Sequence, residues 1–453
     1  MENKLKEKYG LFTAIAMVVG IVIGSGVFFK AEKVLTATGG DLPLGILAWV
    51  IGGAIMIICA YTFSILAGRH DGVGGIVDYA EATVGRGYGY MVGWFTTFIY
   101  FPAMTSVLAW VSARYLGVLL GWNPDSPEVM VVTFAFLIGS YVLNTLSPIL
   151  AGKFQISTTV IKLVPLILMA IVGTVVGLFN GMTVENFTTV VAEVEGGTGV
   201  ALFSALVASA FAYEGWIIAT SISAEIKNSK KNLPIALVVG SAIVAAVYIL
   251  YYIGLAGGVT NAELMASGEK GAQLAFSKLF GRAGGVGLFV LVIISCLGTL
   301  NGLMLAVTRC MYSIAARDNG PSPDMMGEVS RATNMPVNSS IIGLFVCMLW
   351  FLFFYGANLA PTHWFGVVSF DSSELPIITI YAIYIPMFLM MMVKEKTLHP
   401  VKRFVFPVLS IVCCIFMVVA AIFSHGIGVV WYLIIFAVIM LLAIPFYKKL
   451  KKQ

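Results

Sequence analysis

Residues 234–258 carry no charged side chain, and long apolar runs of the same kind recur from one end of the chain to the other. A helix needs about 20 such residues to cross the roughly 30 Å hydrocarbon core of a bilayer, so these runs read as membrane helices. They lack the alternation of membrane strands, which excludes a β-barrel. Apolar residues make up 59% of the sequence and charged residues 11%, whereas a soluble chain carries about a quarter charged. Read between charged and Gly/Pro punctuation, spans fall near 11–38, 42–67, 86–120, 129–149, 154–179, 200–223, 234–258, 284–315, 338–356, 363–393, 403–423 and 427–447. The expectation is an all-α membrane protein of about twelve transmembrane helices in a single domain, 1–453, with the lipid bilayer as its solvent.

The net charge of +5 comes from lysines and arginines scattered through short loops rather than gathered into a nucleic-acid groove, so no nucleic-acid partner is expected. Their placement reports orientation instead. Lys4, Lys6, Lys8, Arg69, Arg86, Lys153, Lys227, Lys230, Lys231, Arg317, Arg331, Lys394, Lys396, Lys402 and Arg403 fall on one side, with the basic tail from Lys448. The opposite loops hold Lys270, Lys278 and Arg282, with Lys30, Lys33 and Arg114 near outer helix ends. The positive-inside rule then puts both termini in the cytoplasm. The first ten residues, MENKLKEKYG, read as a retained cytoplasmic tail, because the apolar stretch after them is too long for a signal-peptide core.

The six cysteines lie inside apolar segments without zinc-type spacing, the histidines lie near span ends or in loops, and no phosphate-binding GK[ST] loop occurs. No metal, cofactor, ATP-driven pump or membrane hydrolase is expected, and no enzymatic activity.

Two spans are interrupted. The first contains Gly20-Ile21-Val22-Ile23-Gly24-Ser25-Gly26, and the sixth, five spans later, contains Phe211-Ala212-Tyr213-Glu214-Gly215-Trp216. Paired interruptions in two five-helix halves point to a transporter with an inverted repeat and a midplane site. Backbone unwound at bilayer depth must find partners in protein or in a wet cavity. Its groups suit a zwitterion. The half-helix beginning near Ser25, Gly26 and Val27 offers N–H groups and a positive dipole end to a carboxylate. Carbonyls around Val22 and Phe211 can accept from an ammonium group. A small-residue helix contact remains the alternative reading of Gly24-Ser25-Gly26.

IVIGSGVFF in span one, AFAYEGW in span six, EIKNSKKNLPIAL after it and GVGGIVDYAEATVGRGYGYMVGW between spans two and three together resemble the amino acid-polyamine-organocation superfamily. The likeness is to its L-type amino acid transporter and bacterial serine/threonine exchanger branch, and it covers essentially the whole chain. It implies a LeuT-type fold, with repeats at 11–179 and 200–393 and a final pair of spans at 403–447. It also implies sodium-independent exchange of amino acids, or proton-linked uptake, across the plasma membrane. By the resemblance, Ser25 and Gly26 bind the substrate carboxylate, the Val22 and Phe211 main chain receives the amino group, and Phe211 and Trp216 are gate or pocket aromatics. Lys162 matches a lysine that stands in for a sodium ion and braces span one against span five. Eukaryotic L-type members pair with a glycoprotein through a cysteine in the loop between spans three and four. Here that loop reads GWNPDSPE, so no disulfide-linked heavy-chain subunit is expected.

Glu214 departs from the L-type pattern. A carboxylate at a helix centre is costly and faces a cavity or a partner. It suits a substrate ammonium or a cationic side chain, or it caps unwound backbone. Lys162, about eight residues into its span, either braces the break or snorkels to the cytoplasmic face. Asp371 and Glu374, three residues apart, are expected on one face of span ten, either as an acidic vestibule that favours cations or as a solvated pair. Asn301 and Ser106 are polar at depth and read as interhelical hydrogen bonds or cavity lining. The leading reading is a secondary carrier of neutral amino acids. The alternatives are a carrier of cationic amino acids or polyamines, a proton-coupled symporter, and, from another class, a channel or membrane receptor.

Overall fold

The computed structural model describes residues 6–70, 72–123, 126–360, 362, 364–372 and 374–448, with backbone alone for Phe29, Phe211, Glu269 and Val367. Among the described residues the ordered elements are helical, apart from one parallel bridge between Tyr9 and Ile226. The first span is two half-helices, α1 (Leu11–Val22) and α2 (Gly26–Ala37). Four continuous spans follow, α3 (Leu42–Arg69), α4 (Arg86–Leu120), α5 (Pro127–Leu146) and α6 (Pro148–Phe179). The sixth begins as α7 (Gly197–Ala210) and continues in tighter 3-10 turns over Phe211–Tyr213 and Trp216–Glu225. Six more complete the bundle: α8 (Ser229–Gly258), α9 (Gly271–Ala315), α10 (Val337–Leu359), α11 (Leu375–Lys394), α12 (Val401–His425) and α13 (Gly428–Phe446). The chain is thus a multi-pass membrane protein.

Local chemistry sets the boundaries. Asp41 accepts from the Leu44 N–H at 2.9 Å and Pro43 sits in the first turn, so α3 starts there. Pro102 has no N–H for the Phe98 carbonyl one turn earlier, and α4 loosens into a π turn at Thr96–Tyr100. The Trp350 indole on α10 takes up that carbonyl at 2.6 Å. Near their C-terminal ends α6 and α8 touch backbone to backbone. A Cβ on Gly257 would stand 1.8 Å from the Gly173 carbonyl oxygen, so only glycine permits the approach.

Two expected spans change shape. The tenth, expected over 363–393, begins as α11 only at Leu375, where Pro376 suits a first turn, and a loop with a short 3-10 turn at Gly366–Val368 precedes it. Asp371 and Glu374 therefore lie before the helix and not on one of its faces. The eighth extends back to Gly271, but Gly281, at φ 73°, turns the chain, so the straight run begins close to the expected 284.

Candidate functional site

α1 ends at Val22 and α2 begins at Gly26, so Ile23, Gly24 and Ser25 belong to neither helix. The released carbonyls find donors on α6 and α9. Gly20 O accepts from Lys162 Nζ at 2.7 Å and Thr299 Oγ1 at 2.9 Å. Ile23 O accepts from Lys162 Nζ at 2.5 Å, Thr299 Oγ1 at 3.1 Å and Ser295 Oγ at 3.2 Å, and Ser295 also reaches Gly24 O at 3.0 Å. Lys162 is completely buried, which replaces the snorkelling alternative. The expected depth also changes. Its helix starts at Pro148, so Lys162 sits about 21 Å along it.

The start of α2 faces the other way. Phe28 N–H returns to Ser25 O at 3.1 Å, while the N–H groups of Gly26 and Val27 belong to a first turn that has no intrahelical acceptor. The break in the sixth span lies directly opposite. Gly215, at φ 106°, makes a turn that side-chain-bearing residues resist, and a Cβ there would meet Ile21 Cγ2 at 3.0 Å. Across the crossing, a Cβ on Gly26 would touch Ala212 Cα at 3.5 Å. The two interruptions are in contact.

Between them lies a cavity of about 280 Å³. Val22, Gly24, Ser25, Gly26, Ala212, Glu214 and Thr299 give it one polar side, and Met104, Val107, Leu108 and Leu303 an apolar one. Glu214 is 5% exposed. Its Oε1 accepts from the Tyr100 hydroxyl at 2.5 Å, and its Oε2 has no hydrogen-bond partner among the described residues. A buried carboxylate oxygen beside a cavity is a ready acceptor for a charged donor.

Some expected site residues fall elsewhere. Val22 lines the cavity, but its carbonyl already accepts from Tyr248 OH at 3.0 Å and Gly24 N–H at 2.9 Å. Val27 is fully buried and does not line the cavity; its N–H belongs to the same open first turn as that of Gly26. Trp216 is also absent from the lining. It packs against Phe63 and Tyr384, with ring centroids 5.7 and 6.1 Å away. Phe211 lies on the 3-10 turn, and its side chain is outside the described residues. Asn301 bonds Asn144, Ala151 and Gln155 on neighbouring helices, whereas Ser106 bonds the Ala103 carbonyl one turn back in its own helix, and neither lines the cavity.

Asp371 and Glu374 line a second cavity of about 470 Å³, but Lys30 and Lys33 line it too. Its charges are mixed rather than acidic. Lys30 Nζ lies 3.1 Å from Glu374 Oε1, and His425 Nε2 lies 3.1 Å from Oε2. Burial alone would raise the Glu374 carboxyl, but the His425 contact and the Lys30 charge overcome it and hold the group at about 2.

On the opposite side a buried cluster was missed. Glu225, at the end of the sixth span, pairs with Arg309 on α9 and with Lys8 at 2.7 Å. Lys8 and Tyr9 N–H groups both donate to the Glu225 carbonyl, which ties the N-terminal segment to the broken span. The signal was present in the sequence, since Arg309 is a full charge inside an apolar run.

Comparison with known proteins follows the same lines. A family model described as amino acid permease matches residues 9–444. The serine/threonine exchanger SteT of Bacillus subtilis (strain 168) is 29% identical over 403 residues, 89% of this chain and 86% of that protein. The human cystine/glutamate transporter is 25% identical over 341 residues, 75% of this chain and 66% of its own length. The rat large neutral amino acids transporter small subunit 2 is 27% identical over 350 residues, covering 76% and 63%.

Proposed function

The chain belongs to the amino acid permease family, and from that premise we propose that it exchanges neutral amino acids across the plasma membrane without sodium, with both termini in the cytoplasm. The observation that carries the reading is the pairing of opposite electrostatic partners across one small cavity. The open N-terminus of α2 at Gly26 suits a carboxylate, and the free oxygen of Glu214 suits an ammonium. A zwitterion offers both groups at a fixed short separation. The apolar wall of Met104, Val107, Leu108 and Leu303 accepts a small or medium side chain.

Exchange without sodium is supported by Lys162. Its ammonium takes the place among the Gly20 and Ile23 carbonyls and the Thr299 hydroxyl that an inorganic cation would occupy. It links α1, α6 and α9, so movement of the broken first span must carry these contacts along or replace them. Lys30 and Lys33 line the outer cavity beside Asp371 and Glu374 and balance their charge, which favours neutral substrates over dibasic ones. The repeats then run over 11–179 and 200–393, with 403–447 appended. The loop between α4 and α5 has no cysteine, and the carrier works without a disulfide-linked subunit.

The test is uptake of labelled alanine, serine, leucine, lysine and putrescine into proteoliposomes with and without internal amino acid. Neutral uptake that requires internal substrate is the expected result. Uptake of lysine or putrescine alone would install the cationic reading, and uptake driven by a proton gradient without internal substrate would install symport.

A further inference from the structure

We propose that Lys30 and Glu374 form an outer amino acid station, which holds the zwitterion before it moves along one face of α2 into the central cavity. The inference rests on the exchange reading above. Its first support is placement, because Lys30 and Glu374 line both the outer cavity and the central one. The ion pair they make, at 3.1 Å, stands on the boundary between the two.

The second support is the order of charges. Lys30 is four residues beyond Gly26 on α2, so both lie on the same helix face, Lys30 about 6 Å further out. On that face the outer position offers an ammonium and the inner one a helix N-terminus, and both suit a carboxylate. Facing them stand Glu374 outside and Glu214 inside, and both suit an amino group. The two stations present the same charges in the same order. A zwitterion can pass from one to the other by translation, without turning over.

The third support is energetic. Opening a partly buried ion pair strands both charges unless replacements arrive. An amino acid brings both at once, its carboxylate for Lys30 and its ammonium for Glu374. His425, 3.1 Å from the second Glu374 oxygen, holds that carboxylate in position meanwhile.

The experiment uses right-side-out membrane vesicles and labelled L-serine, L-alanine and L-leucine, with KM measured separately for outside and inside substrate. Lys30→Met and Glu374→Gln are each expected to raise the external KM roughly tenfold and the internal KM by no more than about threefold, since both residues also border the central cavity. The charge-swapped double variant, Lys30→Glu with Glu374→Lys, keeps an ion pair and serves as the folding control. It is expected to keep the raised external KM, because the charges now stand in the wrong order for the inner site. Recovery of the parent's KM by the swap would make the pair a structural tie and overturn the proposal. So would an equal rise on both sides, or no rise at all. A parent protein that moves none of the three amino acids fails the exchange reading and takes this one with it. Transport by the parent with unchanged variants overturns the outer station alone.

Discussion

At the scale of single residues, charge inside an apolar run is the most legible signal in this sequence. Glu214 and Lys162 stand out because each is costly at depth, and both lie at the breaks. Glu214→Gln keeps an acceptor for Tyr100 but removes the charge offered to an ammonium. The external and internal KM for a neutral amino acid should both rise about tenfold, as uptake kinetics would read. Lys162→Ala leaves Gly20 and Ile23 with hydroxyl donors alone. Exchange should fall to near background and the melting temperature in detergent should drop, by an amount set by about 1–3 kcal/mol per underserved carbonyl. Ser295 and Thr299 share the same carbonyls and were illegible, because hydroxyls are common in membrane helices and carry no cost that marks them. Glu374 gives a pH prediction. Its carboxyl is held down at about 2, so its contribution is complete above the unfolded value near 4.5 and fades only as pH falls through about 2. Lys30, Lys33, Asp371 and His425 surround it, yet the Glu374 charge persists through mildly acid conditions. The ratio of external KM between Glu374→Gln and the parent should stay constant from about pH 8.5 to about pH 7.5, a window above both the carboxylate and the ordinary imidazole range.

At the scale of elements, the spans were readable because length and lack of charge decide membrane helices almost alone. The two breaks were readable from glycine next to polar residues in otherwise uniform runs. The start of α11 was not, because the apolar residues between Trp364 and Phe370 resemble helix while Pro376 fixes the true beginning. Trp216 was misplaced for a related reason. The segment after Gly215 is a 3-10 helix with three residues per turn, which directs Trp216 toward Phe63 and Tyr384 rather than into the cavity. Gly215→Ala tests the break itself. At φ 106° a side chain costs about 1–2 kcal/mol, and its Cβ presses on Ile21, so exchange should fall several-fold in proteoliposomes while the protein still accumulates.

At the scale of the whole molecule, charged clusters lie on both sides of the central cavity. Lys30, Glu374 and His425 tie α2 to the ends of α11 and α12 on one side, and Lys8, Glu225 and Arg309 tie the N-terminal segment to the broken sixth span and α9 on the other. Glu225→Ala leaves Arg309 buried without its carboxylate, a loss of about 3–5 kcal/mol, and should sharply reduce the folded protein recovered on size-exclusion chromatography. The contact between the breaks, Gly26 against Ala212 and Gly215 against Ile21, bears on how such a protein can change over time. Two segments almost two hundred residues apart share one small volume there. Bulk gained at either crossing can be accommodated only by bulk given up across it, so the two stretches should drift in size as a couple, and a graft of one alone from a relative should be rejected where a graft of both is accepted.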